Sequence, residues 1–174
     1  MKNLILLLGG AALMLSSCGG AEEALNIDRN GIKGTISAPV ETRISDGTQI
    51  TNDGEFGYVT LEFDDKTELK IVPEYEPFED QLAGLEAIGT DGSFEKVEIL
   101  SKDENTVFYK RSVKPFGEEG EMTDLKDGWG FVVRIKNGDK AYLLSAAQNN
   151  PLDPVWDEAR AKELFEMAKS FKPE

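Results

Sequence analysis

The side chains that most often carry chemistry in proteins are nearly missing from this chain. Its 174 residues contain no histidine and one cysteine, Cys18. Without histidine there is no Ser-His-Asp or Cys-His constellation, no histidine metal site and no imidazole base poised near neutral pH. No glycine-rich phosphate loop of the Walker or Rossmann type is present. Carboxylates remain. A glycosidase needs two of them, one in an apolar setting that raises its pKa, whereas most acids here fall in turn-like stretches such as "NDGE", "TDG", "KDEN" and "GEEGE". Glu118, Glu119, Glu121 and Asp91 are the candidate calcium oxygens, but the alternating oxygens, glycine and distant glutamate of an EF-hand loop are missing. No catalytic residue, metal ligand or cofactor is therefore assigned.

Cys18 has a more specific setting. The N-terminus reads "MKNLILLLGGAALMLSSC": a basic Lys2, an apolar run from Leu4 to Leu15, then small residues. That order is the order of a secretory signal. The run of about a dozen apolar residues falls short of the roughly 20 that cross a bilayer as a helix. Leu15-Ser16-Ser17-Cys18 resembles the lipobox of bacterial lipoproteins, an aliphatic residue and two small ones before cysteine. The resemblance implies that residues 1–17 are a signal peptide cut before Cys18, whose sulfur carries a diacylglycerol. An ordinary signal peptide with an incidental cysteine is the alternative. One acyl chain binds a membrane only marginally and two or three hold it, so acylated Cys18 would make the membrane the first partner.

Removing residues 1–17 removes one base, Lys2, and no acid, so the net charge of −14 becomes −15. Nucleic-acid binding depends on Lys and Arg neutralising phosphates, and nucleic acid is excluded as a partner. An anionic membrane surface is disfavoured on the same ground. Residues 18–30 are expected to be a lipidated flexible tether reaching up to about 40 Å, several times the roughly 8 Å screening length. Glu22 and Glu23 resemble the acidic stretch of surface-exported lipoproteins of the Bacteroidota. Gly19 stands where enteric bacteria place the aspartate of inner-membrane retention. Both features imply an outer-membrane location, on the periplasmic or cell-surface side.

Residues 31–174 suit one globular domain with a sizeable core. Strand patterns dominate its middle. "GIKGTISAP" alternates through Ile32, Gly34 and Ile36. In "EFGYVTLEF", Tyr58, Thr60 and Glu62 face one way and Val59, Leu61 and Phe63 the other. Hairpins are expected at "DDKT", at "KDEN" and at Asn137-Gly138, where Asn and Gly tolerate positive φ. Two helices are expected. One spans "PFEDQLAGLEAIG", with Phe78, Leu82, Leu85 and Ile88 at helical spacing, Pro77 in its first turn and Gly89 as its stop. The other spans "DPVWDEARAKELFEMAKSF", capped by Asp153 and started by Pro154, with Trp156, Leu164, Met167, Ala168 and Phe171 on one face. Hairpins imply antiparallel pairing, and helices with one apolar stripe must lie on a sheet. The fold class is α+β: a mainly antiparallel sheet with about two packing helices, the last one C-terminal. "GTISAP", "GYVTLEF" and the closing "AKSFKP" resemble the PsbP-like fold. That resemblance implies a sandwich of this kind and no catalytic residues, in a group whose members are mostly accessory or binding proteins.

The segment "KPFGEEGEMTDLKDGWG", residues 114–130, is the longest irregular connection after the tether, and loops of this length are often functional. Phe116, Met122 and Trp129 are its candidate contact residues, while Trp156 is expected to anchor a helix to the sheet. The expected function is that of a lipid-anchored cell-envelope lipoprotein, a non-catalytic binding or accessory domain for an envelope protein or ligand. The alternative is a carboxylate-dependent hydrolase of envelope glycans, and a structural envelope protein is the third reading.

Overall fold

Alternation along the strands decides the architecture. Val59, Leu61, Leu69, Ile71, Phe131, Val133, Tyr142 and Leu144 point to one side of a single sheet and are buried there. The structure, a computed structural model, describes residues 22–51, 54–88, 95–113, 126–149 and 153–174. Within them the strands β1 (Glu22–Arg29), β2 (Ile32–Pro39), β3 (Arg43–Thr51), β4 (Gly54–Glu62) and β5 (Thr67–Pro73) precede helix α1 (Phe78–Ala87). Then follow β6 (Glu95–Lys102), β7 (Thr106–Val113), β8 (Lys126–Asn137), β9 (Lys140–Gln148), helix α2 (Glu158–Lys169) and the short β10 (Lys172–Pro173). Seven strands form one sheet in the order β3-β4-β5-β9-β8-β7-β6, and β1, β2 and β10 form a second. Every pairing between these strands is antiparallel. With its two helices, the fold is α+β, as the hairpin pattern requires.

Both faces of the large sheet are used. On the inner face lie α2, through Ala161, Leu164, Met167 and Ala168, and the small sheet, through Ile27, Ile32 and Ile36. Phe165 of α2 meets the rings of Phe108 and Phe131 at 5.4 Å each. On the outer face α1 presses Phe78, Leu82 and Leu85 onto Val72, Val107, Val132 and Leu143. A helix of ten residues covers only part of a seven-stranded face, and no other described element covers the remainder.

Four expectations change. The tether expected over residues 18–30 is too long, because Glu22–Arg29 pair residue for residue with β2. The turn between these strands is Asn30-Gly31, both at positive φ (50° and 77°), the pattern of a type I′ hairpin. Asn137-Gly138 is not the two-residue turn expected: Asn137 ends β8 opposite Lys140, and the loop is Gly138-Asp139. Gly138 alone has positive φ there (60°), as in a type II′ turn. Helix α2 starts at Glu158, not at Pro154. Asp157 accepts a hydrogen bond from the Arg160 amide at 2.7 Å, while Val155 exchanges two backbone bonds with Trp129. That bridge holds Val155 against β8, so Trp156 lies outside the helix. Pro77 sits at the N-cap of α1, with no side-chain cap of its own. The expected stop at Gly89 lies outside the described residues.

Two glycines are fixed by close approach. A methyl group on Gly34 would stand 2.5 Å from the Lys172 carbonyl oxygen and 2.9 Å from the Phe171 ring. Only a bare Cα lets β10 close against β2 there. Gly47 plays the same part for the ring of Tyr58, whose Cζ would lie 2.6 Å from an added methyl.

Candidate functional site

The open part of the outer face holds a pocket of about 330 Å3, built from side chains that alternate away from the core. Its floor is a cross-strand row. Lys70 of β5 stands opposite Thr60 of β4 on one side and Ser145 of β9 on the other. Two residues away along β5, on the same face, lie Glu68 in one direction and Val72 in the other, as strand periodicity demands. Tyr58 and Gln49 form one wall, and Val132 and Leu143 lie toward α1. The rim carries Gln81 from α1 and Tyr75 from the segment between β5 and α1. Tyr75 is 42% exposed and stacks on Phe56 with ring centroids 4.4 Å apart.

A carboxylate holds this rim in place. Glu74 Oε2 accepts hydrogen bonds from Arg134 Nε at 3.0 Å and Nη2 at 2.8 Å. Its other oxygen accepts the Phe78 amide at 2.9 Å, satisfying one of the free N–H groups that begin α1. One acid thus ties the end of β5 to β8 and to the start of the helix.

Lys70 is the cation of the floor. Its Nζ donates to Gln49 Oε1 at 2.9 Å and lies 4.0 Å from the centre of the Tyr58 ring. Burial pushes its pKa below the ordinary 10.5, and the carboxylate of Glu68 opposes that shift. Among the described residues Gln49 is the one acceptor for its three N–H groups, which leaves donor capacity toward the pocket. Glu68 is half-buried, and its carboxylate accepts no hydrogen bond among the described residues. It stands directly opposite Glu62 across β4 and β5, and like charges in that position repel. Glu62 in turn accepts the Ser45 hydroxyl at 2.5 Å.

Among the described residues this arrangement offers a ligand one ammonium, one carboxylate and an apolar wall. Glu62 and Glu68 are directly paired, but a glycosidase sets the spacing of its two carboxyl groups, and the Glu62 carboxylate is turned away from Glu68 to Ser45 of β3. Their neighbours, the Ser45 hydroxyl and the Lys70 ammonium, are polar, not the apolar setting that a glycosidase acid needs. No group of three or more acidic or cysteine side chains is placed to hold a metal ion among the described residues. The candidate calcium residues Asp91, Glu118, Glu119 and Glu121 all lie outside them.

Of the expected contact residues, Phe116 and Met122 also lie outside the described residues, as does Cys18. Trp129 is half-buried and packs against the main core, its backbone bridged to Val155. Trp156 lies over Gly128 with Lys126 Nζ 3.9 Å from its ring centre. Neither tryptophan belongs to the pocket. The residues that do, Gln49, Tyr58, Glu68 and Lys70 foremost, went unnoticed in the sequence. The signal that could have found them is the polar side of "GYVTLEF" continued by Glu68 and Lys70 of "ELKIV": charged residues in mid-strand on a sheet that carries a helix on each face. No helix among the described residues is long and apolar enough to cross a membrane. The chain matches no family model, no curated protein and no solved structure.

Proposed function

We propose that this chain is a lipid-anchored cell-envelope lipoprotein whose α+β domain is a non-catalytic binding or accessory module for an envelope protein or ligand. The observation that supports the binding half is the outer-face pocket, with a desolvated Lys70 held between Gln49 and Tyr58. Ligand sites are concave, largely preformed and fitted with a few well-placed polar groups, and this pocket has that make-up. The PsbP-like sandwich belongs to the same reading; it is supported by an antiparallel sheet with α1 on one face and α2 on the other.

The anchoring half rests on the Leu15-Ser16-Ser17-Cys18 pattern. Three residues separate Cys18 from β1, so at full extension the anchor reaches about 14 Å. That is under two screening lengths, far less than the leash of a long tether. Glu22, at the start of β1, lines a groove that runs along α2 from Ala159 to Ser170. That end of the sheet is therefore the one held near the lipid.

The test has two readouts on the full-length protein. Intact-mass analysis of membrane-extracted protein should find a chain beginning at Cys18 with added diacylglycerol, and Cys18→Ser should leave the precursor uncut. An extract of envelope small molecules should raise the melting temperature of wild type and not of Lys70→Gln. An intact precursor, or a free thiol on protein that washes off in plain buffer, removes the anchor; equal shifts in both proteins remove the pocket. The second reading, a carboxylate-dependent hydrolase of envelope glycans, would use the paired Glu62 and Glu68. It requires glycan cleavage that Glu62→Gln and Glu68→Gln each abolish.

A further inference from the structure

The pocket has two chemically distinct ends. At one stands an ammonium, Lys70, with N–H groups to spare; at the other, two residues along the same strand face, stands a carboxylate, Glu68, with no hydrogen-bond donor among the described residues. Behind Glu68 the directly paired Glu62 of β4 is turned away, its carboxylate accepting the Ser45 hydroxyl and facing Arg43 across β3. Residues i and i+2 on a strand are about 6.7 Å apart, a spacing two long side chains can adjust to clasp a group carrying both charges. The side of the floor beyond Lys70 is apolar, with Val72, Val132 and Leu143 in reach of the Tyr75 rim. At about 330 Å3 the space is near the lower end for small-molecule sites, roughly 300 to 1,000 Å3. A ligand of net charge zero also meets no long-range repulsion from a domain as acidic as this one.

We propose that the pocket binds a free zwitterionic α-amino acid with an apolar side chain, its carboxylate on Lys70, its ammonium on Glu68, and its side chain against Val72, Val132 and Leu143 beneath Tyr75. The proposal rests on the binding reading given above and names the ligand class of that site. The carboxylate takes the donor capacity that Gln49 leaves unused on Lys70. The ammonium gives the Glu68 carboxylate the hydrogen-bond donor it lacks among the described residues. A purely anionic ligand satisfies Lys70 but faces Glu68, and a purely cationic one does the reverse. Selectivity for the zwitterion follows from both ends acting together, as specificity requires an opposing element as well as an attractive one.

Calorimetric titration of the full-length protein in detergent with L-leucine and L-phenylalanine tests this. Both should bind, while N-acetyl-L-leucine, which lacks the ammonium, and L-leucinamide, which lacks the carboxylate, should each bind at least about tenfold more weakly, the effect of 1.4 kcal/mol. Lys70→Gln and Glu68→Gln should each weaken leucine binding by a similar factor. Their melting temperatures, measured alongside, should stay close to wild type. N-acetyl-leucine or leucinamide binding as well as leucine, phosphoethanolamine binding in preference to leucine, or no heat from either amino acid at millimolar concentration overturns the proposal. If the envelope extract still shifts the melting temperature of wild type but not of Lys70→Gln, the pocket reading survives and the ligand class alone is wrong; if neither responds, both fall.

Discussion

Arg134→Met is the substitution whose effect the structure defines most sharply. The guanidinium and the Glu74 carboxylate are 15% and 10% exposed as side chains, so the pair is close to fully desolvated. Removing Arg134 takes two hydrogen bonds from Glu74 Oε2 and leaves a buried negative charge with only the Phe78 amide on its other oxygen. Stranding a charge in this way costs about 3–5 kcal/mol. The further contact to Glu79, 68% exposed, adds at most about 1 kcal/mol. Residual access to water at the pair argues for the lower figure, about 3 kcal/mol, which is roughly a hundredfold in the folding equilibrium. For a domain of this size that lowers the melting temperature by about 6–12 °C. Glu74→Gln with Arg134→Met should cost less than Arg134→Met alone, since no buried charge is then stranded and an oxygen can still receive the Phe78 amide. Urea unfolding followed by fluorescence of Trp129 and Trp156 measures all four members of the cycle. Hydrogen exchange over 78–87 should rise in Arg134→Met before the inner core opens. A cost under about 1 kcal/mol, or strict additivity in the cycle, would refute the view that this ion pair secures α1 and the pocket rim.

Other perturbations have equally definite outcomes. Burial pushes the Asp65 carboxyl up, but hydrogen bonds from the Thr67 hydroxyl and amide, together with the Arg160 guanidinium, outweigh it and hold the pKa below the ordinary 3.8. A carboxyl depressed on folding stabilises the protein above its unfolded pKa and loses that contribution as pH falls through the folded value. Wild type should therefore exceed Asp65→Asn in stability at neutral pH, with the gap closing below about pH 4; a gap indifferent to pH in urea titrations contradicts this. Gly47→Val drives a side chain into the Tyr58 ring and should destabilise by about 1–3 kcal/mol, the usual cost of overpacking. It should also displace the ring from Lys70, seen as altered Lys70 acylation by mass spectrometry, and an unchanged rate counts against the Tyr58–Lys70 contact. Leu164→Ala, at a fully buried position of α2, should cost about 2–5 kcal/mol in denaturant unfolding. Leu85→Ala, half-buried on α1, should cost distinctly less.

Much of the fold is legible in the sequence because its strands alternate cleanly. Val59 and Leu61 against Tyr58 and Thr60 fix which side of β4 is core without any tertiary information. The hairpins at "DDKT" and "KDEN" fall where expected, the second closed by Asp103 accepting the amides of Asn105 and Thr106. Turn chemistry was less decisive where two similar signals competed. Asn-Gly occurs twice, and only the pair at 30–31 forms the two-residue turn; at 137–138 the register with β9 moves the turn one residue on. Helix α2 shows the same limit. Pro154 is a reasonable first helical residue locally, but the long-range bridge to Trp129 pairs both backbone groups of Val155, including the N–H that a helix start would leave free.

By itself the sequence determined the alternating core, the antiparallel class, the acidic surface and the lack of histidine chemistry, because each is a property of residue type and short-range spacing. The tertiary structure alone decided the pocket. Lys70, Glu68, Gln49 and Ser145 come from three strands, and which of them meet depends on strand order and register. Those are set by loop closure and by α1 covering one part of a face and leaving another open, neither of which is written in any single segment.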